Sequence, residues 1–201
     1  MENEKLDIRV EGEQEEPLNQ EKVHKMLKSV VLKLGPSVPK EQKKVLMKLL
    51  VDIFENGKSP REAMNISDVE IRELYHIGYN LFNSGKYELA RGIFHLLNIL
   101  EPLNPGFATC LGVCYHRVKN YDRAISAYMQ SSALEADNPV PLFYCYDCYM
   151  NLKMPDAAGI MLCNVIARAG DKPQYAKIKQ RASLLLEPLT KELTALNKNQ
   201  A

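Results

Sequence analysis

The side chains in this sequence that could do covalent or metal chemistry are thiols and imidazoles. Cys145-Tyr146-Asp147-Cys148 has the gap of a redox pair or of half a metal site, and Cys110 and Cys114, four apart, fall on one face of a helix. A thioredoxin-type pair needs a strand-helix-strand setting that the surrounding helical periodicity lacks, and a zinc site needs four ligands close together. Small residues at helix contacts account for these cysteines better. Five cysteines, an odd total in a chain whose acidic start is unlike a secretion signal, read as reduced thiols. His24, His76, His95 and His116 lie on separate helical segments with no nucleophile or carboxylate at triad-like spacing, and no glycine-rich phosphate loop is present. No catalytic residue, metal site or cofactor is expected.

Binding chemistry has a clearer signal. At ~100° per residue, Leu74, Ile77, Gly78 and Leu81 cluster about one direction of a helix, while Tyr75, Tyr79 and Phe82 cluster about another, roughly a third of a turn away. A helix with two apolar faces has one more than pairwise packing needs. The second face either lines a groove for an extended peptide with proline or leucine side chains, or is buried beneath the amino-terminal helices as ordinary core.

The elements that must position these rings form a repeat. Leu74, Ile77, Gly78, Leu81, Tyr87, Ala90 and Phe94 recur 34 residues on as Ala108, Leu111, Gly112, Tyr115, Tyr121, Ala124 and Tyr128. A third, degenerate copy reads Leu142, Cys145, Tyr146, Tyr149, Ala158 and Leu162, with Pro155 in place of the interhelical tyrosine. That period is the tetratricopeptide spacing: the glycine lets two helices approach, and the small alanine admits the bulky residue four positions later. The expected fold is all-α, a superhelix of three helix pairs with amino-terminal helices and a C-terminal capping helix. In such an array the second direction faces the concave side. The equivalent positions are Thr109, Val113 and His116 in the second repeat and Phe143, Asp147 and Met150 in the third, an apolar groove with a few polar handles and no cluster of positive charge for a carboxylate or phosphate.

Four regions follow from the chain in order. Residues 1–17 are an acidic leader, with seven acidic side chains up to Glu16 against Lys5 and Arg9, and are expected to be disordered. Residues 18–66 carry amphipathic helices, one ending at Gly35-Pro36 and one at Asn56-Gly57, whose apolar faces either pack on the first repeat or form a homodimer interface. Residues 67–172 hold the repeats, launched by the capping box Ser67-Asp68-Val69-Glu70 and punctuated by Pro102, Pro105, Pro139 and Pro141. Residues 173–201 form the capping helix and tail, with Pro188 inside it as a potential kink. A net charge of +1 and the absence of a continuous basic face argue against nucleic acid, and no run of about 18 apolar residues suggests a membrane span, so a cytoplasmic protein is expected.

The stretch Leu74-Tyr75-His76-Ile77-Gly78-Tyr79-Asn80-Leu81-Phe82-Asn83-Ser84-Gly85-Lys86-Tyr87 strongly resembles the first repeat of the bacterial type III secretion translocator chaperones, the class II family. Asn120-Tyr121-Asp122-Arg123-Ala124-Ile125 and Pro141-Leu142-Phe143 resemble its later repeats, and the likeness covers about Ile66 to Leu189. The resemblance implies a cytosolic chaperone whose groove holds an extended, proline- and leucine-containing segment of a membrane-inserting translocator. Transferred onto matching positions, it implies groove aromatics at Tyr75, Tyr79, Phe82 and Tyr87, joined by Leu100 and Tyr128. A general tetratricopeptide scaffold for a carboxylate-ended peptide is the alternative. Such modules resemble a clamp of Lys, Arg and Asn, and Tyr75 and Tyr79 occupy the first clamp's positions. A thiol-dependent enzyme would rest on the cysteine pairs alone.

Overall fold

Helices form wherever the apolar residues recur at three- and four-residue spacing, and they stop wherever glycine, proline or an asparagine cap interrupts. The computed structural model describes residues 20–33 and 38–198, and the only regular structure in them is helical. The expected leader, residues 1–17, lies outside the described residues. The chain divides into two units, Met1–Ser59 and Pro60–Ala201.

The first unit holds α1 (Gln20–Lys33) and α2 (Lys40–Phe54). Leu27 and Val31, one turn apart, are buried. His24 Nδ1 and Glu55 Oε1 meet at 2.7 Å, just past the end of α2. Asp52 is buried and accepts from Asn56 Nδ2 and Lys58 Nζ, both at 3.0 Å; these hydrogen bonds hold its carboxyl below the usual aspartate range. Met26, Val30, Leu32, Val45 and Phe54 remain exposed.

The second unit begins with a short α3 (Pro60–Ala63), which the sequence reading grouped with the amino-terminal helices. It is tied to the repeats instead: Arg61 donates to Glu101 at 2.6 Å, to the Ile66 carbonyl at 2.9 Å, and also pairs with Asp68. Three antiparallel pairs follow: α4 (Asp68–Asn83) with α5 (Tyr87–Leu100), α6 (Pro105–Arg117) with α7 (Tyr121–Leu134), and α8 (Val140–Asn151) with α9 (Pro155–Ala169). Each pair also packs on the next through α5 with α6 and α7 with α8. After a 3-10 turn at Pro173–Tyr175, α10 (Ala176–Lys198) packs on α9 and continues through Pro188.

The repeat period is written in the backbone as well as in the side chains. Helix α4 starts in the Ser67/Glu70 capping box, Asn104 caps α6 by accepting from the Gly106 and Phe107 N–H groups, and Asn138, 34 residues on, accepts from the N–H of Val140 at the start of α8. At the end of each first helix the chain turns through a left-handed residue, Gly85 (φ 75°), then Lys119 (φ 60°), then Lys153 (φ 58°). In all three turns the next residue donates back five positions, Lys86 to Leu81, Asn120 to Tyr115 and Met154 to Tyr149, each at 2.9 Å. This is the Schellman closure, and it persists in the second and third repeats although lysine replaces the glycine. Pro155 opens α9 at the first helical position, where a missing N–H costs nothing.

Ala90, Ala124 and Ala158 are all fully buried, and Phe94, Tyr128 and Leu162 pack in the room they leave. The close approach at the glycine is tightest in the second repeat, where a Cβ on Gly112 would meet the Tyr128 ring at 2.6 Å. Two core clusters result, one spanning the first two repeats and reaching Cys145 and Cys148 of α8, and one joining the third repeat to α10 through Leu142, Leu162, Ala182 and Leu189; Tyr149 and Met161 touch both. On α4 the expected packing face is only partly realised, because Leu74 and Leu81 are half-buried while Ile77 stays exposed. No described helix is long and apolar enough to cross a membrane.

Candidate peptide-binding groove

Tyr75, Tyr79 and Phe82 share one side of α4 because they lie four and three residues apart, and the structure places all three around a single pocket. Phe94 of α5 and Thr109, Cys110 and Val113 of α6 complete a cavity of about 160 Å³ whose walls are almost wholly apolar. The rings are ordered by one another. Tyr75 stacks on Tyr79 with centroids 6.3 Å apart, and meets Phe94 edge-on at 6.0 Å. Tyr79 is 51% exposed, whereas Tyr75 is half-buried and its hydroxyl is pushed above the usual tyrosine range by desolvation. The stripe is therefore neither wholly groove nor wholly core: it grades from one into the other across a single helical turn.

A second pocket of about 440 Å³ adjoins the first along the array, with Val113 common to both. His116, Arg117, Lys119, Tyr121, Tyr128, Tyr144 and Asp147 make up the rest of its wall. Here the polar handles are concentrated. His116 Nε2 meets Asp147 Oδ2 at 3.0 Å, and its Nδ1 lies 3.5 Å from the Tyr128 hydroxyl and 3.7 Å from Cys148 Sγ. Thr109, by contrast, has its hydroxyl occupied by the buried Ser131 at 2.7 Å and contributes mainly bulk to the first pocket.

Of the residues expected in the groove, Tyr75, Tyr79, Phe82, Thr109 and Val113 line the first pocket, and Val113, His116 and Tyr128 the second. Tyr87 flanks them, its ring edge-on to Phe82 at 5.1 Å. Two assignments need correction. Leu100 is 1% exposed, because the apolar stripe of α5 that contains Leu97 and Leu100 faces the core between helices. Phe143 lines neither pocket: it packs against Tyr146 and lies 5.2 Å from the Arg181 guanidinium of α10, so the capping helix takes that position out of the groove. Tyr128 is fully buried and forms the floor of its pocket rather than a wall; its desolvation raises its hydroxyl well above the ordinary tyrosine value.

The structure also assembles what spacing did not reveal. Cys148, His116 and Asp147 are connected in the order of a thiol-imidazole-carboxylate triad, but Cys148 is fully buried and desolvation pushes its thiol up to about 12. A neutral thiol with no exposed surface is not a nucleophile at physiological pH. Cys114 and Cys145 are likewise buried and pushed up to about 12, while Cys163 is exposed on α9. Titration of the native protein with an aromatic disulfide reagent is expected to show one fast thiol, removed by Cys163→Ser, a slower one at half-buried Cys110 in the first pocket, and the three buried thiols only in denaturant. Rapid modification of Cys148 in the folded chain would restore thiol chemistry as a reading. Arg117 and Lys119 were the other groups missed. Arg117 is the last residue of α6, one helical turn on from Val113, and Lys119 lies just beyond it in the left-handed turn that brings it to the pocket.

A tetratricopeptide-repeat family model matches residues 73–104, which span most of α4 and all of α5. Low calcium response locus protein H of Yersinia pseudotuberculosis is 28% identical over 144 residues, 70% of this chain and 84% of that protein. The Yersinia enterocolitica type III secretion chaperone SycD, solved with a peptide of the translocator YopD, superposes with a TM-score of 0.60 at 27% identity, covering 63% of this chain and 97% of that one. PcrH of Pseudomonas aeruginosa, in complex with the chaperone-binding region of PopD, gives a TM-score of 0.60 at 25% identity, covering 63% of this chain and 96% of PcrH. The chain is a homologue of low calcium response locus protein H, and its fold matches those of the type III secretion translocator chaperone SycD and of PcrH.

Proposed function

We propose that this protein is a cytoplasmic chaperone of a bacterial type III secretion system. It binds an extended hydrophobic segment of a membrane-inserting translocator in its concave groove and so keeps the client soluble and competent for export. The observation that carries this reading is the apolar pocket ringed by Tyr75, Tyr79 and Phe82, a preformed, water-accessible cavity of a size suited to a leucine or proline side chain. Rings already stacked on one another lose little conformational freedom when a client side chain enters, which lowers the cost of binding. Two solved relatives hold peptides or regions of translocators, which supports the same class of client here.

The mechanism is stoichiometric masking, with no chemical step. A leucine seated in such a pocket contributes about 1.5–3 kcal/mol before ordering costs, so one leucine and two prolines fall short of the ~8.2 kcal/mol net that a micromolar complex requires. A whole translocator needs more contact than that. The exposed apolar side chains of α1 and α2 are the proposed source, as a client-binding or dimerising surface. Coexpression tests the function directly: the translocator encoded with this protein is expected to move from the insoluble to the soluble fraction and to copurify with it in fixed ratio. A translocator equally soluble without the chain, or never found with it, would sink the proposal.

A further inference from the structure

The second pocket differs from the first in charge. Arg117 and Lys119 stand at its rim, and among the described residues no carboxylate pairs with either. The pocket's acidic group, Asp147, is already engaged by His116 at 3.0 Å. Arg117 and Lys119 therefore set two cations against the one anion Asp147, an excess of positive charge within an otherwise apolar and aromatic surface. Arg117 does not wave free in solvent: its guanidinium carbon lies 5.9 Å from the ring centroids of both Phe82 and Tyr87. Held over these rings, a guanidinium keeps its edge N–H donors available, and an oxygen-bearing anion can engage them with less loss of side-chain freedom than a mobile lysine would suffer.

Phe82 belongs to the first pocket as well, so the cation sits close to whatever apolar side chain fills that pocket. An extended peptide advances about 3.3 Å per residue, so one or two residues separate the two positions. We propose that the client segment carries a carboxylate, Asp or Glu, one or two residues from its apolar anchor, and that Arg117 and Lys119 receive it. This rests on the groove reading above and adds a rule of selection to it: apolar filling sets the affinity, and the adjoining charge sets which apolar segments are accepted and in which register.

Labelled peptides containing proline and leucine, identical except for Glu, Gln or Lys at each position flanking the leucine, test this by fluorescence anisotropy on the full chain. At low ionic strength the Glu peptide is expected to bind about three- to tenfold more tightly than the Gln peptide, and the Lys peptide more weakly than either. The preference should shrink as salt is added, because exposed charges are screened. Arg117→Gln should reduce the Glu preference without lowering the melting temperature, and Lys119→Asn, which tolerates the left-handed backbone, should do the same to a smaller degree. Arg117→Glu should favour the Lys peptide. If that variant does not fold, Arg117→Gln and the salt series decide the matter. Equal affinity of all three peptides for the wild-type chain overturns this inference while leaving the groove intact. Failure of the Gln peptide to bind falls on the groove reading, and takes the charge rule with it.

Discussion

Tyr128→Ala is expected to lower the free energy of unfolding by about 3–5 kcal/mol, the cost of removing a fully buried aromatic ring from a site that cannot collapse. Its ring lies against Gly112 on one side and stacks on Tyr144 at 5.2 Å on another, so its removal leaves a void between two repeats. Tyr128→Phe should cost less than about 1 kcal/mol, because the hydroxyl is 3.5 Å from His116 and makes at best a weak hydrogen bond. From the other side of the contact, Gly112→Ala should cost about 1–3 kcal/mol, since a Cβ there must displace ring atoms 2.6 Å away. The double variant Gly112→Ala with Tyr128→Ala should be less destabilised than the sum of the singles, because the clash vanishes with the ring. Urea denaturation with unchanged slope provides the measurement. A Tyr128→Ala loss below about 1 kcal/mol, or strict additivity in the double variant, would mean that this contact does not hold the second repeat together.

Tyr79→Ala should act in the opposite way, sparing the fold and damaging binding. With half its surface exposed, the ring can be removed for about 1 kcal/mol or less, yet it forms one wall of the first pocket. Affinity for a proline- and leucine-containing peptide is expected to fall about ten- to a hundredfold, or about 1–3 kcal/mol. Phe82→Ala should resemble it, with some added cost from the lost Tyr87 contact. Tyr75→Ala should do both kinds of damage, because that ring also meets Phe94 at 6.0 Å and Phe107 at 6.3 Å in the core. Ala90→Arg is the control, since a charge forced into a fully buried helix contact should unfold the first repeat whatever the groove does. Melting temperatures and peptide affinities on the same four proteins separate the roles. Unchanged affinity in a folded Tyr79→Ala protein would remove the pocket from the binding surface.

Where the sequence was sufficient, it was because the determining interactions are local and periodic. The helix pairs follow from apolar residues three and four apart, from an alanine and a bulky residue recurring every 34 positions, and from caps such as Ser67 with Glu70 that act within one turn. The shared direction of Tyr75, Tyr79 and Phe82 is a property of one helix, so it too was legible. Tertiary structure alone decided how deep each ring sits, because burial depends on Phe94 and Phe107 arriving from other elements. It alone withdrew Phe143 from the groove, through Arg181 on a helix near the chain's end, and turned Leu100 to the core. His116 comes from the second repeat and Asp147 and Cys148 from the third, and only the packing of one repeat on the next makes them one cluster. Arg117 and Lys119 were invisible for a related reason. Arg117 shares a helix face with Val113, but its guanidinium is held there by Phe82 and Tyr87 of the preceding repeat, and Lys119 lies beyond the helix in a left-handed turn that periodicity does not specify.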